Sequence, residues 1–198
     1  MAIKVYLSPS DQTGNTYAAG NTNEAAVCRK IANAVQARLV EYGAEVKNNQ
    51  TASMQNRVTE SNNWKADVHV CIHTNASPEH TAGGTRVFYY SDSGTGKKIA
   101  QKVYNRLAPI TPFGSDKMTA YPGLYEIKYS VAPCVYCECE FHDNAKQAQW
   151  IIDHITDIGN AIADGLADYF GMKLPEKIEK VYTVEIPHGY DKVEIILK

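Results

Sequence analysis

Three residues carry side chains suited to hydrolytic chemistry and stand where elements begin or end: Glu24, His73 and Glu138. His73 belongs to Ala66-Asp67-Val68-His69-Val70-Cys71-Ile72-His73-Thr74-Asn75-Ala76, a β-favouring run that stops at Thr74-Asn75. The pattern predicts a buried strand that delivers an imidazole to the loop at its carboxyl end, the rim where open α/β sheets keep their chemistry. A lone histidine there is more often a core residue with a satisfied hydrogen bond, so its neighbours decide. Glu138 lies in a second buried-strand pattern, Pro133-Cys134-Val135-Tyr136-Cys137-Glu138-Cys139-Glu140-Phe141. Burying its carboxylate is costly unless it meets a partner or a cation. Glu24 opens a predicted helix, and the spacing 24, 27/28, 31, 35 turns it toward the sheet. Interaction with the helix dipole is the plain alternative for an acid in a first turn.

If the sheet is doubly wound, the three residues converge at one rim. A histidine and a carboxylate with an open coordination position make zinc chemistry, and a further carboxylate can act as general base. Zinc lowers the pKa of water from ~15.7 to about 7, which hydrolysis of an unactivated amide needs most. His69 shares a face with His73 but lies roughly 13 Å along the strand, too far for both to hold one ion through bonds of about 2.0–2.1 Å. It is assigned to hydrogen bonding inside the fold.

The elements that must position these groups follow from periodicity. Residues 3–7 read as a strand ending at Ser8-Pro9-Ser10, followed by a loop rich in Gly and Asn over residues 11–21. Thr22-Asn23 cap a helix to about residue 42, with Gly43 as its stop. Residues 44–47 predict a strand, 54–64 a helix, 85–90 an edge-type strand and 94–107 an amphipathic helix. Residues 108–131 form the longest irregular stretch, and its tyrosines suit a substrate-contacting loop or a cover for the sheet edge. After Asp143-Asn144 one long helix is expected to residue 170. The result is an α/β fold: a single twisted, mostly parallel sheet with helices on both faces, plus a C-terminal β-hairpin appendage. Residues 1–172 form the catalytic unit, 173–180 a linker, and 181–198 the hairpin or the start of a further domain.

The chain has 198 residues, 44% of them hydrophobic and 21% charged, and a net charge of −2, enough for one large core. Near-neutrality leaves no electrostatic footprint for nucleic acid or an anionic membrane. No signal peptide and no membrane-spanning run is visible, so synthesis in the cytoplasm is expected. Five cysteines, an odd number set in apolar segments, predict reduced core residues rather than a disulfide framework. Cys137-x-Cys139 lacks the second pair of a zinc ribbon.

Ile72-His73-Thr74-Asn75-Ala76 after Asp67, the Asn23-Glu24 helix start, and Cys137-Glu138-Cys139-Glu140-Phe141-His142-Asp143-Asn144 together resemble the zinc-dependent N-acetylmuramoyl-L-alanine amidases of the amidase-3 type. That group includes autolysins, spore and germination amidases and phage endolysins. The resemblance runs in order from about residue 3 to residue 171. It implies peptidoglycan as partner, action at the bacterial cell wall, and hydrolysis of the amide between N-acetylmuramic acid and L-alanine. It also implies Zn²⁺ held by Glu24 and His73, with Glu138 as catalytic acid/base. One departure stands out: where the family carries a third ligating histidine, this chain has Ser10-Asp11-Gln12. Straight register offers Asp11, the next residue is Gln12, and His142 is a third possibility; an anionic oxygen is the better zinc ligand. Asn75, Tyr121 and Tyr125 are candidate substrate contacts, and Glu140 is expected to crowd or retune the site. A peptidoglycan-binding pseudo-amidase and another zinc peptidase are the alternatives.

Overall fold

The computed structural model describes residues 2–175 and the strand backbone of 180–184 and 193–197. The strands are β1 (Lys4–Pro9), β2 (Glu45–Asn48), β3 (Val68–Asn75), β4 (Arg86–Tyr89), β5 (Lys117–Ala120) and β6 (Cys134–Phe141). They form one sheet in the order β2-β1-β3-β6-β4-β5. Every neighbouring pair is parallel except β4 with β6. The helices are α1 (Glu24–Glu41), α2 (Met54–Trp64), α3 (Thr95–Leu107), α4 (Tyr125–Tyr129), α5 (Ala145–Asp153) and α6 (Ile155–Phe170). No helix among the described residues is long and apolar enough to cross a membrane.

Period-two alternation gives the sheet two chemically different faces. Val5 and Leu7 of β1, Val68, Val70 and Ile72 of β3, and Val135, Cys137 and Cys139 of β6 join the main apolar core with residues of α1, α3, α5 and α6. The intervening residues Tyr6, Ser8, His69, Cys71, His73, Cys134 and Tyr136 are buried as well, toward the smaller helices α2 and α4. Both faces being covered, the strands read as near-continuous buried runs, and the polar insertions in them mark one face.

Local chemistry explains α1. The Asn23 side chain accepts a hydrogen bond from Ala26 N at 2.9 Å, and Val27, Ile31, Val35 and Leu39 form its buried stripe. α6 packs between α1 and α3, and Gly165 permits the approach to α3. A Cβ there would meet Val103 Cα at 2.5 Å and Val103 N at 2.8 Å, backbone that moves only with its helix. Gly165→Ala is therefore expected to destabilise the chain by about 1–3 kcal/mol, read as a lower urea midpoint. An unchanged midpoint would mean that α3 and α6 slide apart freely.

Three expectations are corrected. Strand β4 is interior, because β5, which residues 108–131 conceal, pairs along its outer side. That stretch also holds a 3-10 turn at Ala108–Ile110 and the short helix α4. The long final helix breaks at His154 (φ −117°, ψ 23°), whose Nδ1 bonds Trp150 O at 2.8 Å while its ring stacks on Trp150 at 4.7 Å. The imidazole thus shares a carbonyl of the helical ladder with the His154 N–H, which still reaches it at 3.0 Å, and the axis changes there. Beyond Gly171, β7 (Lys180–Val184) and β8 (Val193–Leu197) pair antiparallel. The linker residues 176–179 and the expected turn between these strands lie outside the described residues.

Candidate active site

β3 and β6 are hydrogen-bonded neighbours, and their register sets His73 directly beside Glu138. α1 begins above the carboxyl ends of these strands, so Glu24 points from its first turn into the same place. The Glu24 carboxylate accepts from His73 Nδ1 at 2.8 Å and from Asn15 Nδ2 at 2.6 Å. Both partners are buried, Glu24 at 1% and His73 at 7% exposure. Tyr136, two residues before Glu138 on the same face, stacks on His73 at 4.5 Å and fixes its ring.

Electrostatics separate the two glutamates. Burial pushes Glu24 up, but His73, Asn15 and Ser10 outweigh it and hold the carboxyl below its ordinary range. Burial likewise pulls His73 down, and the Glu24 hydrogen bond with the charges of Glu138 and Glu24 holds it above its ordinary value. Glu138 has no such support: its Oε2 is enclosed without a hydrogen-bond partner, and burial pushes the carboxyl up to about 7. An ionised acid beside an imidazole, facing a carboxyl that trades its proton near neutrality, has the makings of acid–base chemistry.

The other anticipated residues divide. Asp11 and Gln12 line, with Pro9, Arg57, His73 and Tyr136, one cleft of about 280 Å³. Asp11 Oδ2 pairs with Arg57 Nη2 at 3.2 Å, and Gln12 Oε1 accepts from the same Asn15 amide that holds Glu24. His142 is elsewhere: its Nδ1 lies 3.0 Å from Thr74 Oγ1 and its ring stacks on Tyr17. Asn75 turns its Oδ1 back to Ala76 N at 2.8 Å, ordering the loop after β3. Tyr121 is exposed but connects to the site through Phe88 (5.4 Å), Tyr136 (6.3 Å) and His73, whereas Tyr125 meets Tyr129 in a tilted pair at 4.6 Å. His69 bonds Glu126 Oε2 through Nε2 at 2.9 Å, a hydrogen bond within the fold.

Glu140, expected to crowd or retune the site, does not share the face of Glu138, although simple alternation would place it there. The β3–β6 register shifts between His73 and Asn75, so Thr74 faces both Cys139 and Glu140, a β-bulge. Glu140 adopts φ +81° there, and its carboxylate turns to Gly84 N, 2.9 Å from each oxygen. Burial pushes this carboxyl up to about 7, against the pull of the Gly84 and Phe141 N–H groups. Between pH 4.5 and about 7 the folded chain keeps a proton that the unfolded chain has lost. Stability supplied by Glu140 is thus present below that window and lost as pH rises through it. The urea midpoint of wild type minus that of Glu140→Gln should fall across the window; a flat difference would mean that Glu140 is ionised throughout.

Sequence reasoning missed Asn15, Tyr136 and Arg57. Tyr136 was recoverable, because period two places it on the face of Glu138. Asn15 sits in an irregular loop and Arg57 on a polar helix, where no local signal distinguishes them.

A buried carboxylate–imidazole pair beside an enclosed glutamate, at the carboxyl rim of the parallel strands β1, β3 and β6 and next to a cleft, has the groups a hydrolase needs. The profile of the Amidase_3 family, N-acetylmuramoyl-L-alanine amidase, matches residues 9–168, and the chain belongs to that family. It is an amidase of peptidoglycan, and its family is in general zinc-dependent and acts on the cell wall. Solved structures agree in fold. The catalytic domain of CwlV, an N-acetylmuramoyl-L-alanine amidase from Bacillus (Paenibacillus) polymyxa var. colistinus, is 24% identical with a TM-score of 0.76, covering 87% of this chain and 100% of that one. An N-acetylmuramoyl-L-alanine amidase from Clostridium difficile 630 is 24% identical with a TM-score of 0.75, covering 87% and 98%. The catalytic domain of the CD27L endolysin, which targets C. difficile, is 21% identical with a TM-score of 0.65, covering 85% and 97%. No curated protein sequence matches the chain.

Proposed function

We propose that this amidase works with a zinc ion held by Glu24, His73 and Asp11, and with Glu138 as the acid/base. The single observation that carries the reading is the enclosed, unpartnered Oε2 of Glu138 beside the Glu24–His73 pair. The donors suit the ion. The Glu24 oxygen and the His73 nitrogen, hydrogen-bonded at 2.8 Å, would have to part to the roughly 3.4 Å span of two ligands at about 2.0–2.1 Å on one tetrahedral zinc, a small side-chain rotation. Asp11 supplies an anionic third donor: Arg57 engages Oδ2 and leaves Oδ1 available, the outer-shell support that ligating carboxylates usually have. Gln12 is the neutral alternative.

When bound, zinc polarises the scissile carbonyl and acidifies water. The remaining work falls to the chain. Asn15 fixes Glu24, Tyr136 fixes His73, and Glu138, its carboxyl near 7, takes the proton of the attacking water. The same carboxyl then gives that proton to the departing L-alanine amine, so one group serves as base and as acid. The ring series from His73 to Tyr121 offers a stepped aromatic wall along which the sugar–peptide junction would lie, with Tyr125 farther out.

Digestion of purified peptidoglycan tests the reading, with new amino termini labelled and identified. L-alanine is expected. Other termini would reveal a different zinc peptidase, and no new termini with zinc supplied would reveal a binding pseudo-amidase. We further assign residues 1–172 as the complete catalytic unit, with 173–180 as linker and 181–198 as appendage. Among the described residues, the pocket, the proposed donors and the apolar core all precede residue 173. A chain ending at residue 172 should keep its thermal midpoint and its turnover on soluble muropeptide. Loss of either would make the last 26 residues part of the enzyme.

A further inference from the structure

We propose that His69, Cys71 and Cys134 form a second metal site, a buried imidazole–thiolate centre for a thiophilic d10 cation, zinc foremost. The inference stands apart from the hydrolytic reading: its three ligands include none of Glu24, His73, Asp11 and Glu138, although Glu126 and Arg57, which support it, line the same cleft. His69 and Cys134 are partners in the β3–β6 register, and Cys71 follows two residues along the same face. A ring nitrogen of His69 and the two sulfurs all lie within 4.8 Å of one another. The sulfurs are 3.7 Å apart, and two thiolates at about 2.3 Å from one tetrahedral zinc are about 3.8 Å apart. Exposure is 0% for His69 and Cys71 and 3% for Cys134.

The histidine is dressed as a ligand. Its Nε2 is 2.9 Å from Glu126 Oε2, which also accepts from Ser8 Oγ at 2.6 Å, and Arg57 Nη1 donates to Ser8 Oγ at 3.2 Å. A carboxylate that receives one ring N–H and so presents the other nitrogen is the usual outer arrangement of a metal-bound histidine. That other nitrogen, Nδ1, has no hydrogen-bond partner although the residue is fully enclosed. An orphaned imidazole nitrogen in a core is costly, and a cation would remove the cost. Binding a dication would release two thiol protons and leave the metal–dithiolate neutral. A surface pocket of about 300 Å³, lined by Ile127, Ser130, Pro133 and Cys134, gives the ion a route inward.

Cobalt titration of the full chain, stripped of metal by chelator and kept reduced, tests the proposal. Neither Glu24, His73, Asp11 nor Gln12 carries sulfur, so a thiolate-to-cobalt charge-transfer band in the near ultraviolet reports the new site alone. The band should saturate at one equivalent, persist in His73→Ala, disappear when zinc is added, and be lost in Cys71→Ser/Cys134→Ser. Zinc content of protein purified without chelator should fall by one equivalent in that double variant. No band in reduced wild type, with all five thiols reactive after denaturation, overturns the proposal, as does a band that survives the double variant. The wild-type spectrum decides the question even if the double variant does not fold.

Discussion

Glu138→Gln should lower turnover on peptidoglycan by about 10²–10⁴-fold while the metal content stays at the wild-type level. Glutamine keeps the volume of the side chain and its place beside His73, but it cannot take a proton from water or return one to an amine. The enclosed Oε2 finds no partner among the described residues, so the exchange removes no hydrogen bond seen there. Burial also penalises the ionised carboxyl, so removing the charge should leave the urea midpoint near neutral pH unchanged or higher. Metal analysis, turnover and unfolding of one preparation together separate this role from a ligand's. A fall in bound zinc parallel to the fall in turnover would make Glu138 a ligand and return the search for the base to the cleft.

His73→Ala should produce the complementary pattern: one equivalent of zinc lost, turnover abolished, and a lower thermal midpoint. The imidazole is the donor that holds Glu24 Oε1 at 2.8 Å and the ring on which Tyr136 stacks. Its removal leaves a buried carboxylate with Asn15 as its nearest side-chain partner, a change that costs about 1–3 kcal/mol or more beyond the cavity itself. Zinc retained at the wild-type stoichiometry would mean that Glu24 and His73 do not hold it, and the amidase mechanism would need other donors.

Much of this centre is legible in the amino acids because its supports are regular. His73 and Glu138 interrupt strands at positions that period two assigns to one face, and the 3.6-residue period of α1 turns Glu24 toward them. What regularity does not encode was missed. The bulge at Cys139–Glu140 adds a residue to one strand without altering its composition, so alternation carried past Glu138 assigns Glu140 to the wrong face. Strand β5 has four residues, alternately exposed and half-buried, and its partner among the described residues, β4, lies some thirty positions earlier in the chain. Asn15 and Arg57 reach their partners by tertiary placement, which neither helix nor strand periodicity describes.

The two-faced sheet has a consequence for how the chain finds its native pairing. Sliding β3 by one position would carry His69, Cys71 and His73 into the layer now filled by Val68, Val70 and Ile72, among α1, α3 and α6. His69 and His73 would lose Glu126 and Glu24, and each stranded polar group would cost about 1–3 kcal/mol. The residues that carry the chemistry therefore also proofread the alignment of the central strands: a misaligned sheet is penalised at the positions where it would be inactive.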